Sequence, residues 1–167
     1  MPDVLIVDGY NFLYSWPELI RLKESSFAHA RDKLIAELIN YQAYWGGRVI
    51  VVFDARRVAG ATETREKIDG VEVIYSREGE TADAVIEKLV RNITIRGDIY
   101  VATSDNAEQQ TILAGGALRL PVTELRVYIE NARREMNRRA TAKPPVNTLD
   151  GHLRGETRQA LEKWRRR

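Results

Sequence analysis

The sequence lacks several features that define common classes of protein. Its 167 residues include no cysteine and only two histidines, which excludes a disulfide scaffold, a thiolate zinc site and a cysteine nucleophile. No apolar run approaches the length needed to cross a membrane, and the first residues do not resemble a secretion signal. We therefore expect a cytoplasmic protein with no membrane partner.

Motifs for several reaction types are missing as well. There is no Gly-x-Ser-x-Gly elbow, no Walker-type phosphate loop and no Gly-x-Gly-x-x-Gly fingerprint. His29 lies within a helical pattern and His152 lies in the C-terminal segment, so neither follows a predicted strand. Carboxylates are therefore the main candidates for catalytic or metal-binding groups.

The charged residues are distributed unevenly along the chain. The formal net charge is +2, yet residues 1–125 contain 14 Lys and Arg against 19 Asp and Glu, whereas residues 126–167 contain 12 against 5. A chain of this length, with 44% hydrophobic residues, suits one domain of ordinary size. We therefore expect a mildly acidic body and a basic tail.

Short apolar runs alternate with helical patterns along most of the chain. The runs are 4–7, 49–53, 71–75, 99–103 and, more weakly, 117–120, and the helical patterns are 30–45, 82–93, 108–113 and 125–136. This alternation predicts an α/β fold with a central, mainly parallel sheet of about five strands between two layers of helices. Two prolines at 144–145 interrupt the pattern and a short helical pattern follows. We assign 1–142 to this domain and 143–167 to a basic C-terminal extension.

Acidic residues stand where the predicted strands end. Asp8, Asp54 and Asp105 follow strands, and Glu80 and Asp83 open the helix after the third run. Structural roles are the alternative: Asp105 suits a helix cap, Glu80 and Asp83 suit first-turn acids, and Asp8-Gly9 suits an ordinary turn. Because the carboxyl ends of parallel strands share one rim, these carboxylates would repel one another unless a cation neutralised them. Without His or Cys among them, the oxygen donors favour Mg²⁺ or Mn²⁺.

Four motifs in order along the chain resemble those of NYN domains, a branch of the PIN-like nucleases. They are Asp8-Gly9-Tyr10-Asn11, Phe53-Asp54-Ala55, the acidic segment 78–83 and the segment 101–105. The segments 108–109 and 115–119 resemble the bacterial and plastid YacP-like subgroup. The resemblance covers about residues 3–130 and the end of the tail.

The resemblance implies a PIN-like, single-domain endoribonuclease that uses Mg²⁺ or Mn²⁺, in the bacterial cytosol or plastid stroma. Some members of the subgroup associate with ribosomes and cleave mRNA, so mRNA and the ribosome are expected partners. The residues assigned as catalytic metal ligands are Asp8, Asp83, Asp105 and Glu80. Positioning of the attacking water is the alternative role for Glu80. The supporting residues are Asn11, Ser104 and Asp54.

Basic and aromatic side chains are candidates for contacts with RNA, whose phosphates attract cations. The predicted RNA-binding residues are Arg56, Arg57, Arg126, Arg133, Arg134, Arg138, Arg154 and Arg158. For those on helices, a solvated helix face is the alternative. The loop predicted after the first strand contains Tyr10, Phe12, Tyr14 and Trp16, which either stack on bases or pack in the core.

The expected function is hydrolysis of phosphodiester bonds in single-stranded RNA by a monomer or weak dimer. One alternative is a non-catalytic RNA- or ribosome-binding module on the same scaffold, which would bind without a metal requirement. Another is a phosphatase or transferase that acts on a Mg²⁺-bound nucleotide. The sequence lacks the glycine-rich phosphate loop usual in that class.

Overall fold

A six-stranded sheet forms the middle layer of the computed structural model, which describes residues 3–94, 97–104 and 115–141. The predicted α/β class with a mainly parallel sheet is confirmed, with six strands where about five were predicted. In chain order the elements are β1 (Val4–Asp8), α1 (Gly9–Tyr14), α2 (Pro17–Ser25), α3 (Phe27–Trp45), β2 (Arg48–Phe53), β3 (Thr64–Ile68), β4 (Val71–Tyr75), α4 (Ala82–Asn92), β5 (Ile99–Ala102), β6 (Leu118–Leu120) and α5 (Val122–Thr141).

The strand order places β1 near the middle of the sheet. The order is β3-β4-β2-β1-β5-β6, and every neighbouring pair is parallel except the β3–β4 hairpin. All five residues of β1 are buried, as expected for a strand covered on both faces. The chain adds β2 on one side of β1 and later adds β5 on the other. The strand order therefore reverses at β1, where open α/β sheets bind their ligands.

The two faces of the sheet pack against different helices. Leu5 and Val7 of β1 contribute to the larger core, which includes residues of α1, α2, α3 and α5. Ile6 points to the opposite face and packs in a smaller core with Ile86 of α4. The division follows from the two-residue period of a strand, in which neighbouring side chains point to opposite faces.

Local signals set the ends of the helices. The Ser26 hydroxyl accepts a hydrogen bond from the backbone N–H of His29 at 3.3 Å and begins α3, which ends at Gly46 with φ of 82°. Thr81 begins α4, and its hydroxyl accepts from the N–H of Ala84 at 3.1 Å. The position of α4 matters for function because its first turn carries predicted site residues.

Three elements were not predicted from the sequence. The segment predicted as a loop after β1 forms α1 and α2 instead, because its apolar side chains pack against the sheet. The third element, β3, has four exposed residues out of five and therefore shows no apolar alternation. It forms by pairing with β4 across a tight turn in which Asp69 and Gly70 have φ of 46° and 96°.

Other predictions fall outside the described residues. These are the helix at 108–113, the extension 143–167 and His152. The domain boundary at 142 also stays a prediction. Among the helices that the structure describes, none is both long enough and apolar enough to cross a membrane.

Candidate functional site

Two of the predicted acidic residues lie where the central strands end. Asp8 is the last residue of β1, is buried, and is level with Val52 of β2. Asp54 follows β2 directly and is half-buried. The parallel register therefore brings both residues to the same rim of the sheet, at the point where the strand order reverses.

Gly9 allows the first helix to begin directly at this rim. A Cβ atom at Gly9 would lie 2.5 Å from ring atoms of Phe53 and 3.0 Å from the carbonyl oxygen of Val52. Both distances are too short for ordinary van der Waals contact. The absence of a side chain at Gly9 thus keeps Asp8 and the start of α1 close to β2.

Two predicted supporting residues are hydrogen-bonded to each other across the rim. Asn11 Oδ1 accepts from the backbone N–H of Ser104 at 2.8 Å and from the Ser104 hydroxyl at 2.9 Å. Asn11 lies on α1 and Ser104 lies just beyond β5, so these bonds join the segments that follow two neighbouring strands. No hydrogen bond from the amide N–H groups of Asn11 is made to another of the described residues.

Asp54 joins the end of β2 to the start of α4. Its Oδ1 accepts from the N–H of Arg56 at 2.9 Å, and its Oδ2 accepts from the N–H of Ala82 at 3.4 Å. The Arg56 Nε atom lies 3.7 Å from Oδ2. A carboxylate at this end of a helix is stabilised by the helix dipole. Asp54 therefore positions the first turn of α4, which contains Asp83.

Glu80 is a buried carboxylate in the segment before α4. Its Oε2 contacts the ammonium of Lys88 and lies 3.8 Å from Arg77 Nε. Its Oε1 is buried and has no hydrogen-bond partner among the described residues. Burying a carboxylate oxygen without a partner costs free energy. Glu80 also lines a shallow pocket of about 510 Å³ with Thr81 and Ala84, so a ligand could reach this part of the molecule.

Glu80 lies just before the start of α4, and Asp83 lies in the first turn of that helix. Lys88, the partner of Glu80, lies five residues beyond Asp83, a rotation of about 140° around the helix. Within residues 3–94, 97–104 and 115–141, no group of three or more His, Asp or Glu is arranged to hold a metal ion. Asp105, a further predicted ligand, lies outside the described residues.

Two of the arginines predicted to bind RNA are bonded within the protein. Arg126 donates to the carbonyl oxygen of Ser15 at 2.8 Å, which joins α5 to the end of α1. Arg133 contacts the buried carboxylate of Glu37 on α3, and this hydrogen bond raises the pKa of the Arg133 guanidinium. Both side chains thus hold α5 in place, a role that charge counting along the sequence did not predict.

The other predicted arginines differ in their surroundings. Arg138 is 2.8 Å from Glu135 on the same helix. Arg57 and Arg134 are exposed and have no ion-pair partner in the part of the chain that the structure describes. Arg57 follows β2 closely and is therefore the better placed for a ligand at the rim. Two more predicted residues lie outside the described residues, namely Arg154 and Arg158.

The four aromatic residues near α1 divide by burial. Phe12 and Trp16 are buried, and their rings meet edge to face with centroids 5.6 Å apart. Tyr14 is 51% exposed. Tyr10 is half-buried, and its hydroxyl accepts from Arg31 at 3.0 Å. Two of the four therefore belong to the core, while Tyr10 and Tyr14 reach the surface beside the rim.

Some residues near this rim were not predicted from the sequence. The buried Ser76 hydroxyl accepts from the N–H of Ala55 at 2.8 Å and so fixes the backbone after Asp54. Burial raises the pKa of the Tyr75 phenol, which stays protonated at neutral pH. Lys88, which contacts Glu80, was also not predicted as part of the site. The helical spacing of Lys88 from Thr81 was the available signal, because it puts these two residues on one face of α4.

Comparisons with known proteins cover nearly the whole chain. Residues 5–166 match the model of a family described as the YacP-like NYN domain. The chain is 45% identical over 168 residues to the uncharacterized protein YacP of Bacillus subtilis (strain 168), with 98% of this chain and 97% of that protein covered. The crystal structure of Rae1 (YacP) from Bacillus subtilis has a TM-score of 0.73 and 45% identity, covering 98% of this chain and 95% of that one. The structure of its W164L mutant has a TM-score of 0.72 and 46% identity, covering 82% and 80%.

Proposed function

The chain belongs to the YacP-like NYN-domain family, and from this membership we propose that it is a divalent-metal-dependent endoribonuclease acting on single-stranded RNA. The observation that carries the proposal is the arrangement at the rim, where Asp8 ends β1 and Asp54 holds the helix start that bears Asp83. Acidic residues at a strand-order reversal suit a reaction on a phosphate that a cation accompanies.

The donor chemistry of the rim fits a hard divalent cation. Carboxylate oxygens are the preferred ligands of Mg²⁺ and Mn²⁺, and the residues that would hold the ion are Asp8, Asp83, Asp105 and Glu80. The buried Oε1 of Glu80 supports this fit, because it has no hydrogen-bond partner among the described residues. When bound, such an ion lowers the pKa of a coordinated water and offsets negative charge on the reacting phosphate.

The remaining polar groups of the rim would orient the substrate. The amide N–H groups of Asn11 are suited to donating to a phosphate oxygen, and the two bonds from Ser104 to Asn11 Oδ1 fix the amide in place. Arg57 is exposed just beyond β2 and would attract the RNA backbone. Asp54 would act indirectly, since both of its oxygens accept backbone hydrogen bonds that set the start of α4.

The test is metal-dependent cleavage of a labelled single-stranded RNA. We expect Asp8→Asn and Asp83→Asn each to lower the cleavage rate by at least about 100-fold without changing the melting temperature. EDTA should abolish cleavage by the unmodified chain. Asp98→Asn is the matched control, because Asp98 is exposed beside the opposite end of β5. Full activity in both site variants, together with no effect of EDTA, would falsify the proposal.

The same experiment separates the alternative of a non-catalytic binding module. That alternative predicts that RNA is bound equally well with and without metal and is never cleaved.

We extend the proposal to mRNA as the substrate and to the ribosome as a partner that presents it. Faster cleavage of an mRNA in the presence of translating ribosomes is the expected result, and identical rates with and without them would contradict this extension.

A further inference from the structure

An exposed pair of aromatic rings lies on the helices beside the rim, outside the acidic residues. Tyr14 at the end of α1 is 51% exposed, and Phe27 at the start of α3 is 41% exposed. The ammonium of Lys23 on α2 lies 4.4 Å from the centroid of the Tyr14 ring and 5.3 Å from that of Phe27. We call these three residues the aromatic–lysine surface.

Ring contacts connect this surface to the candidate site. Phe27 meets Tyr10 edge to face at 5.8 Å, and Tyr10 meets Phe53 at 5.2 Å. Tyr10 is two residues after Asp8, and Phe53 directly precedes Asp54. The hydrogen bond from Arg31 holds the Tyr10 hydroxyl and so fixes the ring that links the two sides. The aromatic–lysine surface thus begins two ring contacts from the acidic rim.

The chemistry of the surface matches unpaired nucleotides. An exposed ring offers a flat apolar face on which a base stacks, and an ammonium attracts the phosphate next to that base. The ammonium of Lys23 lies near both rings, and the exposed Arg21 and Glu24 lie on the same helix as Lys23. An apolar protein partner would instead favour a continuous apolar patch. Bases in a duplex are already stacked and do not present a free face.

We propose that the aromatic–lysine surface binds the bases of single-stranded RNA beside the scissile phosphate, with Tyr14 and Phe27 stacking on bases and Lys23 contacting an intervening phosphate. The proposal rests on the endoribonuclease function proposed above, and it adds the basis for selecting unpaired RNA. Because every base has a flat face, these contacts give a preference for single strands and little preference for sequence.

Binding and chemistry are measured separately in the test. Affinity for a labelled single-stranded RNA is measured by fluorescence anisotropy in the Asp8→Asn background. Tyr14→Leu and Phe27→Leu are each expected to raise Kd about tenfold, whereas Tyr14→Phe, which keeps the ring, leaves Kd unchanged. Lys23→Gln should reduce the slope of log Kd against the logarithm of salt concentration by about one, the change expected when one phosphate contact is lost. Tyr128→Leu is the matched control, because Tyr128 is a 40% exposed aromatic residue on α5.

An abasic RNA identifies the stacked position. If Phe27 stacks on one base, replacing that nucleotide by an abasic one raises Kd for the Asp8→Asn protein, and adding Phe27→Leu then causes no further loss. With active protein, the same variants should raise KM for RNA and leave metal-dependent hydrolysis of bis(p-nitrophenyl) phosphate unchanged. Melting temperatures establish that each variant is folded, and Tyr14→Leu tests the surface independently of Phe27.

Two results would overturn the inference. One is an unchanged Kd for RNA in the Tyr14→Leu/Phe27→Leu double variant, whether or not the chain cleaves RNA. The other is an unchanged affinity for single-stranded RNA with lost binding to ribosomes, which would assign the surface to contact with the ribosome itself. Failure of the endoribonuclease proposal is a separate outcome, recognised by the absence of metal-dependent cleavage in the unmodified chain.

Discussion

Two buried glutamates each contact cationic side chains, and they differ in whether a buried carboxylate oxygen lacks a hydrogen-bond partner. Glu37, between α3 and α5, is 5% exposed, and Glu80, before α4, is 8% exposed. Glu37 Oε1 contacts Arg133 and lies 3.4 Å from Lys33. Glu80 Oε2 likewise contacts Lys88. Of the two, only Glu80 has a buried oxygen without a hydrogen-bond partner among the described residues.

The difference separates a structural carboxylate from a candidate ligand. A buried acid whose charge is met by cations from two helices holds those helices together. A buried acid with an oxygen that has no hydrogen-bond partner among the described residues retains an energetic cost, and such costs concentrate where a protein binds a ligand. We therefore expect changes at Glu37 to affect stability and changes at the rim to affect activity.

The largest effect on stability is expected from Gly9→Ala, which disturbs the rim and leaves the Glu37 ion pair intact. The added methyl group would collide with the Phe53 ring and push Asp8 away from β2. The free energy of unfolding should fall by about 2 kcal/mol, and cleavage should fall by more than about tenfold. Urea titration and an RNA cleavage assay measure the two effects. Gly60→Ala is the comparison, because a Cβ there meets nothing within 4 Å although φ is +74°. It should keep full activity.

Glu80→Gln tests whether Glu80 Oε1, which has no hydrogen-bond partner among the described residues, is functional. Cleavage should fall by about 10- to 100-fold, while the free energy of unfolding changes by less than about 1 kcal/mol, since an incompletely bonded buried charge is removed. Lys88→Gln removes the ion pair and keeps the carboxylate, and it should leave cleavage nearly unchanged. Equal losses of activity in the two variants would show that the ion pair matters rather than the free oxygen.

Glu37→Gln tests the other side of the comparison. We expect the free energy of unfolding to fall by about 1–2 kcal/mol, less than for a fully buried pair because Arg133 is partly exposed and can regain water. RNA cleavage at a temperature well below melting should be unchanged. A variant that melts like the original and loses activity would make Glu37 the functional residue and reverse the comparison.

The smallest effect is expected at a third pair, Arg48 and Glu72, on β2 and β4. Their side chains form two hydrogen bonds of 2.6 and 2.9 Å, and the bond from Arg48 lowers the pKa of the Glu72 carboxyl. A carboxyl whose pKa is lower in the folded state stabilises the fold above its unfolded pKa, and this contribution is lost as pH falls through the folded pKa. Glu72→Gln should therefore cost less than about 1 kcal/mol at pH 7. The difference from the unmodified protein should begin to shrink below the ordinary glutamate pKa of about 4 and vanish once pH has fallen through the lowered pKa of the folded state. A difference that grows on acidification would contradict this account.

The predicted and unpredicted parts of the fold differ in what stabilises them. The strands β1 and β2 were predicted because burial on both faces requires a continuous apolar run, which the sequence displays directly. The strand β3 consists mostly of exposed charged residues, so its only sequence signal is the Asp69-Gly70 turn that joins it to β4. Its strand conformation comes from the neighbouring strand rather than from its own side chains.

The same distinction applies to the candidate site. Asp8 and Asp54 could be predicted at one rim because strand ends are visible in the sequence and parallel register aligns them. The roles of Arg126 and Arg133 could not, because a charged helical pattern does not identify which element the charge will meet. The exposure of Phe27 beside Tyr10 depends in the same way on how α1 and α3 pack.

The position of β1 near the middle of the sheet has a consequence for how the molecule opens. Its backbone groups are paired with β2 on one side and β5 on the other, and all its side chains are buried. Amides in such a strand exchange with deuterium only when the whole domain unfolds, whereas the exposed edge strand β3 exchanges through local opening. Asp8 directly follows the four residues of β1 that are paired on both sides, and it is itself paired with Val52 of β2. Local opening at the β3–β4 edge therefore leaves Asp8 in place.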